Sequence, residues 1–518
     1  MISRRHFVAA AALPLVACQA QRPVAGGFAG THPERGHLLR AALPQRAPAT
    51  QHRTRVLIAG GGVAGLAAAR ALRLQGMQDF ALLELEDTAG GNSRSGSLGG
   101  IAHPLGAHYL PVPGDDAHEV QDLLEELGLR QRVAGRWSYD ERHLCHSPQE
   151  RLFFNGAWQE GLLPVQGVGP QTQAQYQRFA TLVERARSAV AWSIPASRSP
   201  ASPVKNELDA MTFVAYLDQH GLSDEHLRWY LDYCCRDDYG AGLQVVSAWA
   251  GIHYFASRHG FHAPGSETAE RDGVLTWPEG NAWLAQRLAA PLGERLRPRR
   301  VVLRIEALKH GVEVDALNPD TGQSERWQAQ HCIVALPVFA AARVVQGAPE
   351  LLRQRAARLR YAPWLVANLH LDAALHDRPG AAPSWDNVLY GAKGLGYVDA
   401  RHQSLQPVPA ATVLTYYRAL GDQADGWRQL LERPWASWRD EILAELALAH
   451  PDLPAKTTQM DITRYGHAMA IPTPGTEGPA SRVPQQLGRL SFAHSDWAGY
   501  SVFEEAFTQG HQAASLRL

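Results

Sequence analysis

The sequence predicts an α/β protein with a Rossmann-like dinucleotide-binding domain, because a strand, a glycine turn and a helix follow one another in residues 55–84. The apolar run at 56–59 has the length of a short buried strand. It leads into GGGVAGL, after which residues 66–74 are strong helix formers. A second apolar run, 80–83, ends on Glu84, where the dinucleotide-binding fingerprint has an acid.

The glycine turn supplies what a bound dinucleotide needs. Gly60, Gly62 and Gly65 match G-x-G-x-x-G, in which the first glycine permits the turn, the second admits a pyrophosphate and the third lets the helix pack on the strand. The helix N-terminus, with Val63 and Ala64 in its first turn, attracts the phosphate charge. The acid that ends the second strand is expected to accept hydrogen bonds from ribose hydroxyls.

Length and composition limit the possible classes of protein. The 518 residues are enough for two or three domains, and 45% of them are hydrophobic. Since 50 Lys and Arg residues balance 51 Asp and Glu residues, the overall charge does not favour nucleic acid or an anionic membrane as a partner. The five cysteines form no C-x-x-C pair and have no matching histidine spacing, so we predict no metal site.

The N-terminus resembles an export signal. Residues 3–8, SRRHFV, have the twin-arginine pattern, and the apolar run after them is too short to span a bilayer. LVAC, ending on Cys18, looks like a bacterial lipobox; the alternative is an ordinary cleaved leader in which this cysteine has no role. We expect residues 1–18 to direct twin-arginine export to the periplasm, a lipid on Cys18 to attach the protein to the membrane, and residues 19–52 to form a tether.

Hydrophobic periodicity and turn residues predict a mixed α+β organisation for the rest of the chain. Helices are expected at 116–129, 171–190, 211–235, 282–292, 439–449 and 502–514. A hairpin is expected at 151–158, because Asn155-Gly156 is a typical two-residue turn. RDDYG at 236–240 is expected to end the helix that precedes it. Further strands are expected at 301–305, 312–317, 332–336, 365–371, 412–417 and 490–493.

Five segments resemble the flavin-containing amine oxidase superfamily, which also includes protoporphyrinogen oxidases and phytoene desaturases. They are GGGVAGL with the acid after it, the glycine pair of GGNSR, the pair Gly106-Ala107, the run from WPEGN to IVALP, and SFAHSDWAGYSVFEEAFTQGHQAA. Asn92 stands in place of a family arginine, and His494 and Glu505 replace family glycines. By this resemblance the cofactor-binding residues are Gly60, Gly62, Val63, Ala64, Gly65, Glu84, Gly91, Asn92, Arg94, Gly106, Ala107, His108, Val302, Ala335, Ser495, Asp496, Glu504 and Ala506.

The resemblance implies a non-covalently bound FAD and a discontinuous FAD-binding domain. This domain would comprise residues 53–115, 268–345 and 480–518, and residues 116–267 and 346–479 would form a mixed α+β substrate domain. No second G-x-G-x-x-G follows a strand, so no NAD(P)H site is expected. The substrate itself must then be the reductant.

The activity that the resemblance implies is hydride transfer from an amine, or a similar C–H donor, to flavin N5. Presenting a neutral amine of pKa near 10 at pH 7 costs about 4 kcal/mol, and an apolar aromatic pocket offsets this cost by desolvation. The pair Asp237-Asp238 would suit a polyamine, but we favour a solvated turn with a helix cap. The catalytic candidates are His108, His467, Trp497 and Tyr500, with His494 as a further acid or base.

Two other functions stay open: a desaturase or isomerase acting on an apolar substrate, and a flavin-holding protein that acts by binding a partner. The electron acceptor would be oxygen, a quinone or a protein. Many oxidases of the superfamily carry a lysine, in the strand after the A-x-P exit, that holds a water beside flavin N5. The corresponding residues 359–371 contain no lysine, so we predict a dehydrogenase that passes electrons to a quinone or a protein.

Overall fold

The computed structural model describes residues 23–40, 48–145, 149–265, 273–402, 410–476 and 485–515. The predicted export signal and lipobox lie outside these ranges. Within them the chain forms two large sheets, and no helix is both long and apolar enough to cross a membrane. The predicted α/β fold class, with a Rossmann-like unit and a second mixed region, is confirmed.

The first large sheet carries the glycine turn. Its strands are β2 (Thr50–Ala59), β3 (Phe80–Leu83), β12 (Leu296–Arg297), β13 (Val301–Leu308), β14 (Gly311–Leu317), β15 (Ser324–Val334), β21 (Gln486–Leu487) and β22 (Leu490–Phe492). The spatial order is β12-β3-β2-β15-β14-β13, with β22 beside the end of β15. Because β3, β2 and β15 are parallel and in register at their ends, Leu83, Ala59 and Val334 meet at one edge.

The strands of the second large sheet are β1 (Ala25–Phe28), β9 (Glu150–Phe154), β10 (Ala157–Glu160), β16 (Arg360–Leu371), β17 (Asp386–Leu389), β18 (Tyr397–Asp399), β19 (Thr412–Ala419) and β20 (Thr457–Ile471). Their spatial order is β1-β20-β16-β19-β18-β17-β9-β10. β9 and β10 form the predicted hairpin, and Asn155 and Gly156 both have the positive φ that its turn requires, 52° and 81°. Three short pairs complete the strands: β4 (Ser95–Leu98) with β5 (Ile101–Pro104), β6 (Tyr109–Pro111) with β11 (Val274–Thr276), and β7 (Arg130–Val133) with β8 (Arg136–Tyr139).

The α-helices of the described ranges connect these strands or follow them in the sequence. They are α1 (Pro33–His37), α2 (Val63–Leu74), α3 (His118–Glu126), α4 (Pro170–Ala189), α5 (Pro203–Asp209), α6 (Phe213–Gln219), α7 (Glu225–Tyr239), α8 (Ala248–Ala256), α9 (Ala282–Ala289), α10 (Val338–Val344), α11 (Glu350–Arg358), α12 (Gly426–Glu432), α13 (Trp435–Ala447), α14 (Leu453–Lys456) and α15 (Phe503–Ser515). Apolar side chains of β2, α2, α9 and α15 share one buried core.

Helices α2 and α15 pack backbone against backbone beside the glycine turn. A Cβ atom on Gly510 of α15 would lie 2.0 Å from the carbonyl oxygen of Ala64 in α2. Within α2, a Cβ atom on Gly65 would lie 1.9 Å from the carbonyl oxygen of Gly60. Both distances are too short for any side chain, so Gly510 lets the C-terminal helix approach α2, and Gly65 lets α2 pack against the turn at Gly60.

One predicted helix boundary is wrong. Instead of one helix over 211–235 followed by a turn, the chain forms α6 and then α7, which continues through Tyr239. The side chain of Asp224 caps α7 by accepting hydrogen bonds from two backbone N–H groups, and Gly240 ends it with a φ of 73°. Asp237 and Asp238 therefore lie in the last turn of a helix rather than in a solvated turn.

The predicted tether also differs from the structure where residues 19–52 are described. Residues 25–28 form β1, which pairs in parallel with β20, and residues 33–37 form α1. β2 then begins at Thr50. The partner strand lies more than 400 residues further along the chain, so the local sequence of this segment gives no sign of the pairing.

Candidate active site

A cavity of about 820 Å³ lies at the carboxyl edge of the first sheet. This edge is where ligands bind in open α/β sheets, and the volume is in the usual range for a ligand pocket, roughly 300–1,000 Å³. The sequence-predicted residues that line it are Gly60, Gly62, Val63, Ala64, Glu84, Gly91, Asn92, Ala107, Val302, Ala335, His467, His494, Ser495, Asp496 and Ala506. Four chain segments far apart in sequence thus meet around one space.

The glycine turn shapes one wall of this cavity. Gly60 has a φ of +104°, and a Cβ atom there would lie 2.2 Å from the carbonyl oxygen of Ala335. By contrast, a Cβ atom on Gly62 would meet no protein atom within 4 Å, so the space beside this residue is open. Helix α2 begins directly after Gly62, and the backbone N–H groups of its first turn have no partner inside the helix. This arrangement suits a phosphate group.

Glu84 is buried at the end of β3, facing the glycine turn. Its two carboxylate oxygens accept hydrogen bonds from the backbone N–H groups of Gly61, at 2.8 Å, and Glu86, at 2.7 Å. Burial raises the pKa of Glu84 to about 7, despite these two hydrogen bonds. A carboxylate has about four acceptor positions, so capacity remains for ribose hydroxyls. The open turn, the helix N-terminus and this acid together fit a dinucleotide.

Two predicted cofactor residues lie behind the cavity wall. Gly65 is inside α2, where its missing side chain serves packing. Arg94 is buried, and its Nε donates a hydrogen bond to the Gly91 carbonyl oxygen at 3.0 Å. Its Nη2 lies 3.7 Å from a carboxylate oxygen of Glu86. Gly65 thus has the packing role that the fingerprint predicts, and Arg94 supports the loop at Gly91; neither residue lines the cavity.

Asp496 connects the C-terminal part of the chain to residues 338–361, which are central in the sequence. Its carboxylate accepts hydrogen bonds from the backbone N–H of Val338, at 3.0 Å, and from the hydroxyl of Tyr361, at 2.6 Å. Burial alone would raise the pKa of Asp496, but His494 and the hydrogen-bond donors outweigh it and hold the pKa below its usual value. An ionised Asp496 thus fixes residues 495–497 against the start of α10.

A second, inner cavity of about 170 Å³ adjoins the first, and the residues that line both include Asn92, Tyr465 and Ser501. Its wall combines aromatic and apolar side chains with three carboxyl groups. The residues that give it this character are Gly106, His108, Tyr109, Asp237, Asp238, Arg258, Trp364, Val366, Tyr417, Met469 and Glu504. The sequence indicated His108 and Glu504; it raised Asp237-Asp238 as a possible polyamine contact, but a solvated turn was favoured for this pair.

The carboxyl groups of the inner cavity differ in their partners. Asp238 accepts hydrogen bonds from the Tyr500 hydroxyl, at 2.7 Å, and from Arg258 Nη2, at 3.2 Å. Within the described ranges, no hydrogen bond or ion pair to the Asp237 carboxylate is seen. Burial, followed by the charge of Asp238, raises the pKa of Asp237 to about 7. Burial also raises the pKa of Glu504 to about 7.

The two predicted catalytic histidines line different cavities. His108 lies in the inner cavity, stacked on Tyr417 with ring centroids 4.4 Å apart. Burial lowers its pKa to about 4, so His108 is neutral at pH 7. His467 lies in the larger cavity, stacked on Phe339 at 4.4 Å, and burial lowers its pKa as well.

The catalytic candidates Tyr500 and Trp497 line neither cavity. Tyr500 is fully buried, and its hydroxyl is held by Asp238 and Arg258. Trp497 packs edge-on against Phe492, with ring centroids 5.5 Å apart. Both residues neighbour cavity-lining residues in the sequence, but Tyr500 is part of a buried core and Trp497 packs, partly buried, against another.

The cavity wall also contains residues that sequence reasoning missed. His32, Leu39 and Arg40, from the predicted tether, line the larger cavity. Arg258 lines the inner cavity beside Asp238. The sequence did contain one signal for the acidic part of the inner cavity, the pair Asp237-Asp238. Two adjacent carboxylates that continue an apolar helical pattern are unusual, because charged residues are rarely buried.

We expect Gly62→Val to abolish flavin binding while leaving the fold intact, because the added side chain meets no protein atom and enters the space beside the turn. Gly65→Val is the control, since its Cβ atom would collide with the Gly60 carbonyl and lower stability. The absorbance of bound flavin and urea unfolding distinguish the two variants. A Gly62→Val protein that retains full flavin would contradict the proposed position of the pyrophosphate.

The chain is similar in sequence and in structure to known flavin-containing amine oxidases. The family model for flavin-containing amine oxidoreductases matches residues 63–516. A putative flavin-containing monoamine oxidase of Mycobacterium tuberculosis, AofH, is 26% identical over 483 residues, which cover 89% of this chain and 95% of that protein. Putrescine oxidase bound to putrescine has a similar structure, with a TM-score of 0.67 and 18% identity over 90% of this chain and 99% of that one. Cyclohexylamine oxidase from Brevibacterium oxydans gives a TM-score of 0.64 and 20% identity, over 89% and 98% of the two chains.

Proposed function

We propose that this chain, which belongs to the flavin-containing amine oxidoreductase family, is an FAD-dependent oxidoreductase whose electron donor is an amine. The observation that carries the proposal is the Asp237 carboxylate, which lies without an ion-pair partner within the described ranges in the wall of the inner cavity, next to the cavity that fits a dinucleotide. A carboxylate in that position attracts a cationic substrate. Putrescine oxidase, which shares this fold, was solved with its diamine bound.

FAD would be held by the residues of the larger cavity. The turn at Gly62 and the start of α2 would take the pyrophosphate, Glu84 the ribose, and Val302 the adenine side. When bound, FAD supplies an acceptor for a hydride at its N5 atom. The attachment is proposed to be non-covalent, because none of the four cysteines in the described ranges lines either cavity.

Proton transfer from the substrate points to Asp237 or Glu504 rather than His108. An alkylammonium has a pKa near 10, and each unit of pKa mismatch costs about 1.36 kcal/mol. Moving its proton to a group of pKa about 7, such as Asp237, costs about 4 kcal/mol by this measure. Moving it to His108, with a pKa of about 4, costs about 8 kcal/mol. We therefore assign His108 no proton transfer; together with Tyr417 it forms an aromatic wall against which the substrate packs.

The acidic wall also separates the amine proposal from the two alternatives. Filling the inner cavity with a polyene or fatty chain would strip water from Asp237 and leave its charge without a partner, which is unfavourable. A cationic amine provides that partner. A protein that only holds flavin would need neither the acids nor the aromatic wall beside the flavin cavity.

We expect Asp237→Asn to lower kcat/KM for diamines by roughly 10- to 150-fold at pH 8, since a hydrogen bond to a charged group contributes about 1.5–3 kcal/mol. In the wild-type protein the raised pKa means that Asp237 becomes protonated below about pH 7. As the pH falls below 7, the wild-type kcat/KM should therefore drop by about tenfold per pH unit in addition to any drop seen in the variant.

Anaerobic bleaching of the flavin absorbance by a series of amines measures both effects. Asp122→Asn, the same change at an exposed position in α3, is the matched control. Bleaching by lipophilic substrates but by no amine would contradict the proposed function, and protein purified without flavin would contradict it in any form. Equal kcat/KM values for diamines in the wild-type and Asp237→Asn proteins would contradict only the role of this residue.

The electron acceptor is proposed to be a quinone or a protein rather than oxygen. The chain has four lysines, all within the described ranges, and none lines either cavity. Strand β16 instead presents Trp364 and Val366 to the inner cavity. Arg258 is the cation of this wall, but Asp238 neutralises it at 3.2 Å. Little positive charge then remains to stabilise developing superoxide.

We therefore expect the substrate-reduced protein to react with oxygen more slowly than it turns over with an artificial quinone. Stopped-flow mixing with oxygenated buffer measures the first rate, and steady-state turnover with the quinone measures the second. Reoxidation by oxygen as fast as turnover, with one hydrogen peroxide per substrate, would show the proposal to be wrong.

We also propose export through the twin-arginine route and a lipid anchor on Cys18, which gives a periplasmic location. Arg4→Lys combined with Arg5→Lys should leave the protein in the cytoplasm, because the paired arginines are the feature that the route recognises. Cys18→Ala should release it from membranes into the periplasm. Cell fractionation checks both results, and a Cys18→Ala protein that stays with the membranes would exclude the lipid anchor.

A further inference from the structure

Residues 23–40 cross the larger cavity from one sheet to the other, and we call this segment the strap. At its start β1 pairs in parallel with β20, with Ala25 opposite Gln459 and Phe28 opposite Ile462. The guanidinium of Arg464 lies 3.7 Å from the centre of the Phe28 ring. These contacts fix the first part of the strap to the second sheet.

The other part of the strap is bound to the dinucleotide-binding unit. Glu86 accepts hydrogen bonds from the backbone N–H of His32, at 3.1 Å, and lies 2.7 Å from His32 Nδ1. The buried Arg35 donates to Asp87 at 2.9 Å and to the Leu85 carbonyl oxygen at 3.2 Å. Polar side chains of the strap thus hold the loop that follows β3.

This loop also carries the acid assigned to the ribose. The backbone N–H of Glu86, the residue bound by His32, donates to the Glu84 carboxylate at 2.7 Å. At its second attachment and beyond it the strap itself forms cavity wall, through His32, Pro33, His37, Leu39 and Arg40. The strap therefore covers the space for the cofactor and orders the loop beside it.

We propose that the strap is a closure that retains the flavin: the cofactor enters before the strap binds and leaves only after it opens. The proposal rests on the proposed flavin function. The order of synthesis supports it, since the strap emerges early but its partner strand β20 is made more than 400 residues later. The strap can close only when nearly the whole cofactor cavity exists. A protein exported in the folded state would benefit from such a closure, because flavin lost outside the cytoplasm is not replaced there.

Neighbouring glycines of β1 offer a matched pair of variants. Gly26 has a φ of +130°, and its Cβ atom would lie 1.9 Å from the Met460 carbonyl oxygen, so Gly26→Val must displace β1 from β20. A Cβ atom on Gly27 would meet nothing within 4 Å, so Gly27→Val is the control. The double variant His32→Ala/Arg35→Ala opens the other end without a backbone clash. Circular dichroism and urea unfolding check that all of them fold.

The experiment measures the rate at which flavin is released after the protein is diluted, with the fluorescence of free flavin as the signal. We expect release at least tenfold faster than wild type for Gly26→Val and for His32→Ala/Arg35→Ala, and wild-type release for Gly27→Val. The rate of anaerobic reduction by amine should be unchanged in loaded Gly26→Val and Gly27→Val, because neither glycine lines a cavity. Equal release rates in all four proteins would overturn the strap proposal while leaving the flavin function intact. Wild-type protein without flavin would overturn both.

Discussion

The contact between α2 and α15 is the constraint on which the rest of the structure depends. Gly510 brings the last helix onto the Ala64 carbonyl, beside the turn formed near the start of the chain. The cavity wall requires residues from this turn, from the end of β15 and from residues 495–506 together. A side chain at Gly510 would separate the closing segment from the turn and open the cavity along that line.

The elements encoded locally could be predicted from the sequence. The fingerprint around Gly62 and Glu84, the hairpin at Asn155-Gly156 and the C-terminal helix each depend on short-range spacing, and the structure has them where they were expected. The predictions failed where contacts between residues far apart in the sequence determine the secondary structure. β1 is short and glycine-rich and forms because β20 offers its edge, and α7 continues past residue 235 because its last turn is buried against the inner cavity.

The direction of side chains was the least predictable part of the site. Tyr500 is next to Ser501, which lines both cavities, yet its ring is turned away and its hydroxyl binds Asp238. Asp237 and Asp238 are adjacent in sequence but have different surroundings, since one is paired with Arg258 and the other is not. Sequence spacing places residues near a site, whereas packing decides which of them face it.

Strand β1 has a second consequence, for the solubility of the protein. In the order of the second sheet, β1 is the outermost strand and β20, the longest strand of that sheet, lies directly inside it. An uncovered strand of this length offers a row of free N–H and C=O groups to any other chain. With only four residues, β1 is a short terminal strand that occupies these groups at 459–462. A molecule that loses this cover would therefore be prone to self-association through edge-to-edge pairing, even if its core were unchanged.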